Sequence, residues 1–224
     1  MKSKLFPVLV LLAFGLLSKL APAQSLSDAE IKKLLARVHE KLVASPNLQA
    51  DFQEEKVSHF LNKPLVSSGR VWFRMPNKFR REMKGASQTV AVSNGHDFWI
   101  YFPNSKSTQH FTLGKNSPVD AAITAMTTAL NLENVESMYQ VSATKADRGS
   151  ELQLAPRTPT GKRIFQRFVL QLSSDLFVRR TEMIKPNGDR IVTTYSNQSR
   201  AKIPDSTFEF TPPPGTSTSN PLGR

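Results

Sequence analysis

The chain has 224 residues, 39% of them hydrophobic and 21% charged, enough for one sizeable domain with a real core and short of a convincing two. It contains no cysteine, which excludes disulfides, thiolate chemistry and the lipid-bearing cysteine of a lipoprotein. The formal net charge is +12, an excess that calls for an account of what the surface meets.

Residues 1–23 read as a signal peptide. Lys2 and Lys4 precede an apolar run from Leu5 to Leu17, and Ala21-Pro22-Ala23 is a small-x-small cleavage site, so the mature chain is expected to begin at Gln24. The run is short for a membrane span, and no later stretch approaches about 18 apolar residues. Removing Lys2, Lys4 and Lys19 leaves 27 basic residues against 18 acidic ones, a net charge of +9. Behind a leader this favours anionic lipid head groups or an acidic partner over nucleic acid, with plain solubility as the alternative use of the charge. The expected location is the periplasm or the outside medium.

Leu26 to Val43 has the strongest helical signature. Ser27 and Glu30 form an S-x-x-E capping box, and Leu26 and Ile31 stand where a hydrophobic staple places its pair. Ile31, Leu34, Leu35, Val38 and Leu42 make one apolar stripe, and Ser45-Pro46 ends the helix. From Leu48 the period changes to two. Strands are predicted over Leu48–Val57, Pro64–Met75, Phe79–Met83, Thr89–Val92, Asp97–Phe102 and Thr108–Leu113, with turns at Pro76-Asn77 and Asn94-Gly95. In the second strand Val71, Phe73 and Met75 share one face, and Arg70, Trp72 and Arg74 the other. Ser117-Pro118 restarts a helix of small residues, Ala121 to Leu130. Strands resume over Tyr139–Ala143, Glu151–Ala155, Ile164–Leu172, Leu176–Ile184 and Arg190–Asn197. A short one follows at Phe208–Phe210, and residues 216–224 read as a flexible tail.

About eleven short strands and two helices argue a single curved antiparallel sheet with the helices on its concave side, a two-sheet sandwich being the competing arrangement. Candidate chemistry is sparse. His39, His59, His96 and His110 fall in no zinc-ligand spacing, and there is no nucleophile elbow, P-loop or dinucleotide fingerprint. Asp51, Glu54 and Glu55 cluster, but neighbouring strand positions face opposite ways, so they read as a solvated edge. Neither catalytic nor metal-binding residues are expected. What stands out is apolar: Phe98-Trp99-Ile100-Tyr101-Phe102 is apolar on both faces, a strand covered on both sides.

The order of several motifs resembles the outer-membrane lipoprotein carrier (LolA-like) family. They are the early helix; Leu48-Gln49-Ala50-Asp51-Phe52-Gln53; Ser68-Gly69-Arg70-Val71-Trp72-Phe73-Arg74-Met75-Pro76-Asn77-Lys78-Phe79-Arg80; residues 92–103 around Asn94-Gly95; and Phe208-Glu209-Phe210-Thr211-Pro212-Pro213-Pro214-Gly215. The resemblance implies a half-barrel domain over residues 24–215, an incomplete β-barrel of about eleven strands with α-helices as a lid. It implies a periplasmic chaperone, not an enzyme, that uses no cofactor. Its partners would be acylated lipoprotein cargo, an inner-membrane ABC transporter and an outer-membrane lipoprotein acceptor, and the chain is expected to be a monomer. On this reading Val71, Phe73, Met75, Phe79, Trp99 and Tyr101 line the lipid cavity, and Leu34, Leu35, Val38, Ile123 and Met126 form the lid. One departure is visible. The family often carries an arginine just before the proline where this chain has Met75, and the neighbouring Arg74 points to the other face. That leaves room for a carrier of another lipid or glycolipid; a lipid-sensing periplasmic regulator is a further alternative, because the same kind of half-barrel occurs in such proteins.

Overall fold

The computed structural model describes residues 24–85, 87–113, 132 and 135–221. Helix α1 (Asp28–Ala44) starts as its sequence dictates: the Ser27 amide donates to Glu30 Oε2 at 2.9 Å, and Ser27 Oγ accepts from the Glu30 amide. Six strands follow, β1 (Asn47–Val57), β2 (Leu65–Arg74), β3 (Lys78–Lys84), β4 (Thr89–Ser93), β5 (Asp97–Phe102) and β6 (Ser107–Thr112). After a single turn of helix α2 (Val135–Met138) come β7 (Tyr139–Ala146), β8 (Gly149–Pro156), helix α3 (Pro159–Ile164), β9 (Arg167–Ser173), β10 (Val178–Ile184) and β11 (Arg190–Ser199). A last strand, β12 (Ser217–Ser219), closes the described chain.

All twelve strands form one sheet in the order β12-β6-β5-β4-β3-β2-β1-β11-β10-β9-β8-β7. Every pairing is antiparallel except β12 on β6. The sheet is not closed, and it is strongly curved. Phe79 on β3 and Leu154 on β8 stand six strand positions apart, about 29 Å on a flat sheet, yet both face one hollow. The sandwich alternative does not occur.

The concave face is covered at one end by α1. Ile31, Leu34, Leu35, Val38 and Leu42 are buried there against Tyr139, Ala143, Leu152, Leu154 and Leu170. This is the apolar stripe predicted from the helical period, and it makes α1 a core helix.

The convex face of β2 to β5 is covered by a strap, residues 200–215, that leaves β11 and runs across the outside of the sheet. Its own Ile203 and Phe208 side chains are almost fully buried. Arg74 pins it: its guanidinium donates to the Ile203 carbonyl, to Asp205 Oδ1 at 2.5 Å and to Asn47 Oδ1 at 3.0 Å, and lies over the Phe208 ring. Arg80 adds bonds to the Thr207 and Glu209 carbonyls.

Three sequence expectations change. Phe208–Phe210 is not a strand. Asp205–Phe208 is a 3₁₀ turn, because prolines at 204 and 212–214 leave too few donors for a ladder and the segment is held by arginine side chains. The strand expected from Ile164 starts at Arg167, since Thr158 caps a short helix by accepting from the Gly161 amide at 3.1 Å, with Pro159 in its first turn. The stretch read as a flexible tail carries β12. The helix expected from Ser117, with Ile123 and Met126, lies outside the described residues.

Candidate functional site

The residues that face inward follow from strand parity and register. Phe73 pairs with Phe79, and Phe79 with Ser93, so β2 and β3 present Val71, Phe73 and Phe79 to the concave side. β1 contributes Leu48 and Ala50 to the same face. Opposite them stand Leu154, Phe168, Val178, Met183 and Ile191 from β8 to β11, and Phe165, which caps the end of α3. Together they enclose a hollow of about 420 Å³, within the usual size range of small-ligand sites.

Its polar groups are gathered around one ion pair. Glu54, only 8% exposed, accepts from Arg81 at 2.6 Å. The Arg81 guanidinium lies 4.1 Å from the centre of the Phe52 ring. That ring has space because residue 69 is glycine: a Cβ there would stand 2.7 Å from Phe52 Cζ and 1.9 Å from the Glu82 carbonyl. Buried Thr181 and Thr193 and the Tyr195 phenol sit beside the pair. Burial pushes the Tyr195 phenol above its ordinary range, more than its bond to Thr181 draws it down. A buried pair of this kind makes little net contribution to stability over an apolar filling, although removing either member alone strands the other.

The structure separates the predicted cavity residues into two groups. Val71, Phe73 and Phe79 line the hollow. Met75 is half-buried against the α1 core beside it, and Leu34, Leu35 and Val38 are packed between α1 and the sheet. Trp99 and Tyr101 are a correction. They lie on the convex face under the strap, where Phe210 packs against both rings at 6.2 and 5.9 Å between centroids and Trp99 stacks on His110. Phe98 and Ile100 hold the inward positions of that strand, Phe98 buried against Phe111. On its convex side the strand is covered by the strap through Phe210. The second correction is Glu54. Read as part of a solvated acidic edge, it shares the face of Leu48, Ala50 and Phe52 and is buried. Only Asp51 and Glu55 of that cluster are on the other side, Asp51 accepting from Asn197 at 2.8 Å. Among the described residues no group of three or more His, Asp or Glu side chains is placed to hold a metal ion. No helix among them is long and apolar enough to cross a membrane.

An open, almost wholly antiparallel sheet curled around an apolar hollow, with the Glu54–Arg81 ion pair in its wall, defines a binding scaffold. Residues 44–211 match the family described as outer membrane lipoprotein carrier protein LolA, and the chain belongs to that family. It is 26% identical over 208 residues to the outer-membrane lipoprotein carrier protein of Serratia proteamaculans (strain 568), covering 92% of this chain and 95% of that one. The protein of the same name from Yersinia pestis bv. Antiqua (strain Angola) is 24% identical with the same coverage. In fold, the chain is similar to an uncharacterized conserved protein from Thermus thermophilus, with a TM-score of 0.53 at 15% identity over 85% of this chain and 99% of that one.

Proposed function

We propose that this protein is a periplasmic carrier that takes the acyl chains of lipoproteins into the hollow. It receives them from an inner-membrane ABC transporter and delivers them to an outer-membrane acceptor, without covalent chemistry. The observation that carries the reading is the hollow itself: about 420 Å³, walled by Val71, Phe73, Phe79, Phe168, Met183 and Ile191, in a chain of the LolA family. Moving a CH₂ group out of water is worth roughly 0.8 kcal/mol, so one long acyl chain gains on the order of 10 kcal/mol. Release then requires a site that offers less than perfect enclosure, and a sheet that does not close into a barrel supplies that.

The test is native mass spectrometry of protein purified from its own periplasm. The expected result is co-purifying lipoprotein or acylated peptide, lost in a folded Val71→Asp variant, which sets a charge in the wall. Wild-type protein carrying no acylated species, or a Val71→Asp variant that captures them as well as wild type, refutes the assignment.

A further inference from the structure

Apart from the hollow, the described residues include a strongly polarised end. Val57 pairs with Arg190, Ile184 with both Arg190 and Arg167, and Lys56 with Leu65. The connection between β1 and β2 (58–64), the segment carrying α3 (157–166) and the turn between β10 and β11 (185–189) therefore emerge side by side at one rim. Among the described residues six large hydrophobic side chains are exposed, and five of them are here: Phe60 at 81%, Leu61, Leu65, Val66 and Ile164. Ile164 also lines the hollow, so this rim borders its mouth.

The charge of these three connections is one-sided, although Glu136 stands beside them in α2, just before β7. Lys63, Lys162, Arg163 and Lys185 lie in these three connections and form no ion pair among the described residues, and Lys84 stands at the neighbouring end of β3. Asp189 is the sole carboxylate in the three connections, and it faces His59 at 3.4 Å. The opposite rim, by contrast, mixes Asp97, Asp147, Asp175 and Asp205 with its cations. Exposed aromatic and aliphatic side chains ringed by unpaired lysine and arginine are the surface chemistry of interfacial membrane binding: the apolar groups enter the head-group boundary while the cations meet lipid phosphates.

We infer that this rim docks reversibly on an anionic phospholipid bilayer, with Phe60 and Leu61 at the tip of the β1–β2 connection entering its surface. The docking would bring the mouth of the hollow to the membrane. It goes beyond the carrier reading, because it concerns the bilayer and not the cargo.

The experiment is co-flotation of the purified protein with vesicles of pure phosphatidylcholine and of phosphatidylcholine mixed with phosphatidylglycerol. Binding is expected to the anionic vesicles, weakening as salt is raised to physiological strength. Phe60→Asp, at a side chain exposed enough to leave folding intact, should weaken it by on the order of tenfold or more. Lys63→Ala and Lys162→Ala should each weaken it by about fivefold. Both sets should retain wild-type acyl-cargo capture, which separates this rim from the hollow. No binding to anionic vesicles, equal binding to neutral ones, or a Phe60→Asp variant that floats like wild type overturns the inference. A rim that binds a purified protein partner but no vesicle does so as well.

Discussion

Replacing Arg81 by methionine leaves the Glu54 carboxylate in the wall of the hollow without its 2.6 Å partner. Breaking a buried ion pair by removing one member costs about 3–5 kcal/mol. Here the side chains are 10% and 25% exposed and Lys56 remains 3.7 Å from Glu54, so partial solvation and a substitute cation reduce the cost to about 2–3 kcal/mol. For a domain of this size each kcal/mol moves the midpoint by roughly 2–4 °C, so the Arg81→Met variant should melt about 5–10 °C below wild type. Glu54→Leu should cost a similar amount by stranding Arg81. The double variant Glu54→Leu/Arg81→Met puts apolar groups in both places and should recover most of the loss. The assay is thermal unfolding by circular dichroism across the four-member cycle, read as a coupling energy. Losses that simply add, with coupling below about 0.5 kcal/mol, refute the claim that the pair acts as one buried unit.

Truncating Phe208 to alanine removes the side chain that seats the C-terminal strap, which is 1% exposed, and should cost about 3–5 kcal/mol in urea unfolding. Both tryptophans, Trp72 and Trp99, lie on the convex face, so intrinsic tryptophan emission should stay within noise when the hollow fills, whereas a probe attached near Ile191 should respond. Acid should loosen the strap. Hydrogen bonds from Lys78 and Arg74 hold the Asp205 carboxyl below its ordinary range. Burial alone would raise Asp97, but bonds from His96 and His110 outweigh it and lower that group too. Both depressed groups contribute stability that is complete above the unfolded carboxylate value of about 3.9 and lost as pH falls through the folded values. Unfolding midpoints should therefore be flat down to about pH 5 and drop below about pH 4, with Asp205→Asn reducing that drop.

How far the sequence alone reaches depends on how local each signal is. Helix α1 was legible because its cap, staple and apolar stripe all act within one turn or two, and its five stripe residues are the buried ones. The inward pair Val71 and Phe73 was legible because β2 alternates arginine and tryptophan with smaller or purely apolar side chains. Residues 98–102 carry no such contrast, so period two cannot say which face looks inward. Only the pairing of Ser93 with Phe98 decides it, and this places Trp99 and Tyr101 outside. Glu54 was misread for a related reason. Its burial depends on Arg81, which is 27 residues away and two strands across the sheet, with Gly69 leaving room between them. The strap at 203–210 has β-forming residues but is held by Arg74 and Arg80 from more than a hundred residues earlier, a contact no local pattern announces.

The two halves of the sheet are stiffened from opposite sides, by α1 from within on β7 to β10 and by the strap from without on β2 to β5. The seam where β1 meets β11 lies between the two braces; the strap reaches it at Asn47, whose Oδ1 accepts from the Ile203 amide, and its ladder slips register between Gln49 and Asp51, beside Asn197 at φ 50°. At that slip β11 carries one residue more than β1, which bends the strand and tightens its twist, so the two braced halves meet at an angle, like the covers of a book at its spine.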